Sequence, residues 1–329
     1  MQQQLQSLDE TDLKIISILS KDCRESFMSI GSSVGLTSKS VKARVDAMVS
    51  TGVIEKFVVK VNPVALGYGL GCMLIVREHT AQTDDIIRRL NLLGDVSIHS
   101  RCMGGVSAFC LAIKEGHEDK IELLRDSLKP AIVHFMFTSA SYYQSNKHEL
   151  SETDLRIVKC LLSNPRMEAI EIAKKISASA RTVTRRLTRM KDNNILKFFI
   201  QCNPVSTLGY IQFVLVINSV DRSFNNQIVE RIYGDLKDNI LCQPPIIDPD
   251  NIITLILFSK DIFTADRILK EVESFTGVNR VELFILTDSN SYDEWELREI
   301  DKRLNSKFMR QKDEIEPILK ISRKTSNRT

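Results

Sequence analysis

Leu8–Leu19 reads LDETDLKIISIL and Leu150–Leu161 reads LSETDLRIVKCL. These two stretches lie 142 positions apart, and the same offset carries on down the chain. Arg24 falls on Arg166, Ile30 on Ile172, Val41 on Val183, Arg44 on Arg186 and Met48 on Met190. After one-residue slips, Asn62-Pro63-Val64 meets Asn203-Pro204-Val205, and Leu66-Gly67-Tyr68 meets Leu208-Gly209-Tyr210. Chance does not hold a register that long, so the chain carries one unit twice. The period is too long for a solenoid, and each copy should be a pair of domains.

Each copy starts with helix-capping chemistry. Ser151-x-x-Asp154 has the form of a capping box, and Asp9 and Asp12 hold the same places in copy one. Leu13, Ile16 and Leu19, like Leu155, Val158 and Leu161, then mark one apolar stripe at helical spacing. A second short helix is expected around Phe27, Ile30 and Val34, broken by Gly35-Leu36, with Thr37 or Ser38 capping the next.

That third helix should bury Val41, Val45 and Met48, or Val183, Leu187 and Met190 in copy two. Its other face carries Ser38, Lys39, Ser40, Lys42 and Ala43 in copy one, and Arg181, Thr182, Thr184, Arg185 and Arg189 in copy two. Gly52 or Asn194 should end it. The β-branched and aromatic stretches Val53–Lys60 and Ile195–Cys202 follow as strands.

Three helices and a wing are the layout of a DNA reader, because a helix fits the major groove with its N-terminal residues at the base edges. Thr37–Lys60 holds five Lys/Arg against two Asp/Glu, and Ser179–Cys202 holds six against one. The second copy should therefore grip phosphate harder. Arg44 and Arg186 flank the buried stripe and are open to two readings, a structural ion pair or a phosphate contact.

Composition sets the frame. With 329 residues, 43% of them hydrophobic and 26% charged, the chain has room for about two units, each with its own core. The net charge of +3 says little about partners, so the local basic faces carry the argument. Seven cysteines with no C-x-x-C pair point to reduced thiols rather than a disulfide framework. The opening MQQQLQSLDE has no basic n-region or apolar h-region, and the apolar run Ile252–Phe258 is far shorter than a membrane span. A cytoplasmic location without membrane contact is expected.

These motifs resemble the leucine-responsive/asparagine-synthesis regulator (Lrp/AsnC) family, in a tandem-duplicated, archaeal-type form. The family opening L-D-x-x-D-x-x-I-L is close to Leu8–Ile16, its V-G-L-S turn to Val34-Gly35-Leu36-Thr37, and its G-V-I wing entry to Gly52-Val53-Ile54. Its closing N-P-x-x-x-G matches Asn62–Gly67. In copy two Ser177-Ala178 stands in place of the Gly-Leu turn.

The resemblance implies a ferredoxin-like βαββαβ domain after each winged helix-turn-helix, binding of a small effector such as an amino acid, and homo-oligomers. The sequence carries the same element order. Copy one offers Leu70–Arg77, Asp84–Leu93, Val96–Cys102, Ser107–Lys114, Glu118–Leu128 and Ile132–Tyr142. Copy two offers Gln212–Ser219, Asn225–Leu236, Ile240–Ile247, Asn251–Phe258, Ile262–Phe275 and Val278–Leu286.

The expected α+β layout is a winged helix-turn-helix over 1–66, a ferredoxin-like domain over 67–146, the same pair over 147–208 and 209–290, and a charged helix with a basic tail over 291–329. Within that last segment, Trp295, Ile300, Leu304 and Phe308 suggest a solvated helix packed by one edge, with an assembly surface as the alternative.

The Gly-x-x-Asp that relatives usually carry near the effector pocket is missing or displaced. Copy one has Met103-Gly104-Gly105-Val106-Ser107 and copy two has PIIDPDN at 245–251. Gly104, Gly105 and Ser107 are the candidate effector residues, and no effector is assigned.

The expectation is thus a sequence-specific transcription regulator bound to double-stranded DNA, with no catalytic residues, metal or cofactor. Two alternatives stand beside it. One is a siroheme decarboxylase-like enzyme, whose resemblance implies histidines and arginines in the α/β domain. Copy one has His99 and His134 on candidate strands, but no histidine follows His148. The other is an effector-sensing or interaction module that does not bind DNA. His99, Cys102 and Cys110 could converge on neighbouring strands but lack the short paired spacing of a metal site.

Overall fold

The computed structural model describes residues 6–77, 83–117, 120–128, 132–138, 150–241, 246–247 and 251–305. Copy one opens on a two-residue strand β1 (Gln6–Ser7), then α1 (Glu10–Lys21), α2 (Phe27–Val34), α3 (Ser38–Ser50) and β2 (Ile54–Val61). Its second half runs β3 (Tyr68–Arg77), α4 (Thr83–Leu90), β4 (Gly94–Cys102), β5 (Val106–Lys114), α5 (Lys120–Leu128) and β6 (Ile132–Thr138).

Copy two repeats the plan with α6 (Glu152–Ser163), α7 (Ala169–Ile176), α8 (Ala180–Asp192), β7 (Leu196–Cys202) and the short β8 (Thr207–Leu208). Then come β9 (Ile211–Ser219), α9 (Asn225–Asp235), β10 (Ile246–Ile247), β11 (Ile252–Ser259), α10 (Ile262–Glu273) and β12 (Val278–Ser291). A last helix, α11, covers residues 294–305.

The helix starts follow from their side chains. The Asp12 amide donates to Asp9 Oδ1 at 2.8 Å while the Asp9 amide donates to Asp12 Oδ2 at 3.2 Å, a reciprocal capping box. Ser151 and Asp154 form the same box on α6. At the turn between the second and third helices the backbone goes left-handed, at Gly35 with φ 73° and at Ser177 with φ 56°. The sequence substitution in copy two is absorbed by a serine held in a conformation that favours glycine. Gly52 and Asn194, with φ 77° and 52°, follow α3 and α8 as the sequence indicates.

Among the described residues, the strands after α3 and α8 find no partner strand within their own copy. β2 and β7 pair with each other, antiparallel, in a two-stranded ribbon. The pairs Phe57–Ile200 and Val58–Phe199 exchange under the 142-residue offset, so a pseudo-twofold axis passes between them. The ribbon ends are tied in the same reciprocal way: the Asn62 amide donates to the Ile195 carbonyl at 2.8 Å, and that of Asn203 to the Val53 carbonyl at 3.1 Å. One apolar core serves both helical heads, running from Ile15, Leu19 and Val41 to Leu155, Val183 and Met190.

The second halves form one eight-stranded sheet of order β10-β11-β9-β12-β4-β5-β3-β6. Each set of four has the ferredoxin-like order, and β12 joins them. Val278–Ile285 pairs with β9 of its own copy, whereas Leu286–Ser291 pairs with β4 of the other. The sheet folds back on itself, so that Met73, Ile75 and Met136 pack with Val214, Val216 and Leu286. His134 Nε2 meets Glu282 Oε2 across this seam at 2.5 Å.

Where the sequence suggests a strand over Ile240–Ile247, the described strand is only Ile246–Ile247, with Ile240 bridging to Leu257. Residues 242–245 and 248–250, within and beside PIIDPDN, lie outside the described residues, as do Phe308 and the basic tail.

Helix α11 is a strap rather than a surface decoration. Trp295 and Ile300 are buried in the core shared by the helical heads. Glu296, fully buried, accepts from Lys60 at 3.0 Å and from the Val61 amide at 3.0 Å. Arg298 reaches Asp95 on β4 at 2.5 Å, and Asp301 pairs with Lys159 on α6 at 2.6 Å. One helix therefore touches both heads and the sheet.

Candidate nucleic-acid interface

The two third helices present the candidate surface. Thr37 caps α3, accepting from the Ser40 amide at 3.1 Å, and Ser179 caps α8, accepting from the Thr182 amide at 3.1 Å. The hydroxyls of Ser40 and Thr182 lie 2.8 and 2.9 Å from those cap oxygens, so both side chains are partly spent on the caps. Val41, Val45 and Met48, and Val183, Leu187 and Met190, are buried beneath, as the apolar stripe indicates.

Outward, residues three and four apart share a face. On α3 that face is Lys39, Lys42, Ala43 and Asp46, all exposed, with Ser38 beside it at the helix start. On α8 it is Arg181, Thr184, Arg185 and Thr188, also all exposed. Lys42 is held by Asp46 at 2.6 Å. Among the described residues no ion pair engages Lys39, Arg181 or Arg185. Asp46 and Thr188 did not stand out in the sequence, although the same three-and-four spacing places them next to Lys42 and Arg185.

The remaining candidates lean back toward the first helix of each head. Arg44 Nη1 donates to Asp9 and Asp12, both at 2.8 Å. Arg186 Nη1 donates to Asp154 at 3.0 Å and to Ser151 at 2.8 Å, and Arg189 Nη2 to Asp154 at 2.7 Å. Of the two readings open for Arg44 and Arg186, the structural ion pair is the one present in this structure. Burial alone would push the Asp154 carboxyl up, but hydrogen bonds from Ser151 and Arg186, with Arg189 nearby, hold it below its ordinary 3.8. Hydrogen bonding from the Asp12 amide, with help from Arg44, lowers Asp9 likewise.

Besides the ribbon and the shared core, an exchange of arginines fixes one head to the other. Arg24 donates to the Pro165 carbonyl at 2.5 Å and the Met167 carbonyl at 3.0 Å, and its guanidinium lies over the Phe198 ring. Arg166 donates to the carbonyls of Cys23 and Glu25 and stacks on Phe27 at 4.5 Å. Repetition marked these residues in the sequence, but nothing local revealed that each serves the opposite copy.

The candidate effector residues are split. Gly104 and Gly105 form an exposed left-handed turn between β4 and β5, with φ 80° and 72°. Ser107 is fully buried, its Oγ 3.3 Å from His99 Nε2. His99 stacks on Phe109 at 4.6 Å on the helix-covered side of the sheet, whereas Cys102 and Cys110 belong to the opposite, inter-sheet core. Those three do not converge, and no group of three metal-ligating side chains gathers among the described residues.

Known proteins resemble this chain in its helical heads and in its fold. Residues 8–49 match the AsnC-type helix-turn-helix domain, and residues 150–197 match the winged helix-turn-helix DNA-binding model. The chain is 28% identical over 125 residues to the HTH-type transcriptional regulator Ptr1 of Methanocaldococcus jannaschii, covering 38% of this chain and 84% of that one. It is 41% identical over 63 residues to the HTH-type transcriptional regulator LrpA of Pyrococcus horikoshii, covering 19% of this chain and 45% of the relative. Among solved structures, the siroheme decarboxylase NirDL shares the fold along nearly the whole length. The TM-score is 0.51 at 16% identity, covering 92% of this chain and 100% of NirDL. Among the described residues no helix is long and apolar enough to cross a membrane.

Proposed function

The chain belongs to the Lrp/AsnC family of helix-turn-helix transcription regulators, and from that premise we propose that it binds double-stranded DNA sequence-specifically through α3 and α8. The observation that carries this reading is the placing of exposed, basic outer faces on both third helices of one interlocked pair of heads. Two such helices can enter successive major grooves about 34 Å apart, or a multiple of that. Lys39, Lys42, Arg181 and Arg185 meet the duplex first, the two arginines reaching the base edges beside Ser38, Ala43 and Thr184. Ser40 and Thr182 shape the helix starts. Arg44, Arg186 and Arg189 orient the reading helices against α1 and α6, with their outer N–H groups toward phosphate.

One chain supplies both heads, so the DNA-binding unit does not depend on dimerisation. Higher homo-oligomers belong to the same reading and are measured by sedimentation across concentration. Effector modulation belongs to it too, and is tested by melting-temperature shifts on adding single amino acids. A regulator of this kind works in the cytoplasm.

The same reading makes the chain a non-enzyme. The competing decarboxylase reading draws on the full-length likeness to NirDL, which is a likeness of fold. His99 and His134, the histidines that reading needs, are engaged with Ser107 and Glu282. A tetrapyrrole absorbance band on the purified protein would favour the enzyme. Genome-wide occupancy mapping tests the regulator: discrete, reproducible peaks are expected, and uniform background would contradict it.

A further inference from the structure

Under the 142-residue offset, the α3 face of Lys39, Lys42, Ala43 and Asp46 corresponds to the α8 face of Arg181, Thr184, Arg185 and Thr188. The faces sit at equivalent places but differ in chemistry at every position. On α8 two guanidiniums stand one turn apart, exposed and without an ion-pair partner among the described residues. On α3 the counterpart of Arg185 is a methyl group. Its neighbouring Lys42 is occupied by Asp46, a carboxylate where α8 has a neutral threonine.

The two faces favour different bases on balance, although Lys39 on α3 is also a guanine partner. A guanidinium pairs with O6 and N7 of guanine through two parallel N–H donors, and an alanine methyl packs against the 5-methyl of thymine. The Lys42–Asp46 pair also weakens the phosphate attraction of the α3 face, so α3 contributes less of the binding than α8. The heads cannot trade places. The exchanged Arg24 and Arg166, the β2–β7 ribbon and the shared core fix which head lies on which side.

We propose that the chain reads a directional operator: α8 anchors on a half-site with guanines facing Arg181 and Arg185, and α3 takes an A·T half-site with a thymine facing Ala43. The inference rests on the DNA-binding reading above and adds to it the composition and polarity of the site.

Selection of bound duplexes from a random-sequence pool with the full chain tests this. The expected product is a motif with guanines confined to one half and A·T pairs in the other. Three duplexes then follow: the selected site and the two palindromes made by duplicating either half. The selected site should bind best. Arg185→Ala should weaken it about tenfold or more, whereas Lys42→Ala should cost only a few-fold. The double variant Ala43→Arg with Asp46→Thr should shift preference to the palindrome of the guanine half. These positions are exposed, so unchanged melting curves confirm that the variants stay folded. A palindromic motif, or equal losses for Arg185→Ala and Lys42→Ala, overturns the directional operator. Binding without sequence enrichment overturns it while leaving DNA binding intact, and no binding at all overturns both.

Discussion

Arg24 and Arg166 occupy equivalent positions in the two copies, and each hydrogen-bonds to the backbone of the other copy around Pro165–Met167 and Cys23–Glu25. A duplicated arginine thereby becomes a latch, and two tandem heads become one body. Replacing Arg166 with Ala removes charge-assisted bonds to two carbonyls together with the stack on Phe27. The expected cost is about 2–3 kcal/mol. Arg166→Lys should recover little, because an ammonium lacks the planar fork that spans two acceptors. Urea denaturation measures both, and an unshifted midpoint would contradict the latch.

Ser177 sits at φ 56° where copy one has Gly35 at φ 73°. A side chain in that region costs about 1–2 kcal/mol. Ser177→Gly should stabilise the protein by about 0.5–1 kcal/mol, net of the entropy that glycine adds to the unfolded chain. Gly35→Ala should destabilise by about 1 kcal/mol even though no heavy atom lies within 4 Å of the added Cβ, because the penalty lies in the backbone. Thermal unfolding of the two variants should move in opposite directions.

Asp154 is fully buried beneath Arg186 and Arg189, whereas Asp12 holds Arg44 alone. Breaking a buried pair by removing one partner costs about 3–5 kcal/mol. Asp154→Asn should therefore destabilise by about 3 kcal/mol and Asp12→Asn by less. Since the folded protein holds Asp154 below its ordinary 3.8, its contribution is complete above that pH and is lost as the pH falls further. The stability gap between wild type and Asp154→Asn should narrow progressively as the pH falls below 3.8.

Glu296 behaves with the opposite sign. Burial, only partly offset by Lys60 and the Val61 amide, pushes its carboxyl from 4.5 up to about 7. The folded state thus holds this proton more tightly than the unfolded chain, and stability declines as pH rises from 4.5 to about 7, then levels. Glu296→Gln should remove that slope, so the variant gains on wild type by up to about 3 kcal/mol across the interval. Melting temperatures of both proteins from pH 4.5 to 8 would show it, and parallel curves would contradict it.

Much of this architecture was legible in the residues, because local chemistry dictates it. The capping boxes at Asp9 and Ser151, the left-handed ends at Gly52 and Asn194 and the outward basic faces follow from short-range rules. What could not be read is where one copy completes the other. Val53–Lys60 gives no sign that its partner is Ile195–Cys202, nor does Val278–Leu286 indicate that its strand runs on to Ser291 and crosses to β4. Arg44 was balanced between two partners because Asp9 and Asp12 are distant in sequence and near only in space. Glu296 was hidden in a run of charges, since burial is a property of the packed chain.

On the proposed function, two exposed basic helices grip a duplex through its phosphates. Measuring the affinity of the full chain for its selected duplex against salt concentration tests it most directly. At about −0.9 per phosphate neutralised, four or more contacts would give a log–log slope of about −3.6 or steeper. Arg181→Glu with Arg185→Glu should flatten that slope more than Lys39→Glu with Lys42→Glu does. Tight binding with a slope near zero, or identical slopes in the two double variants, would contradict it.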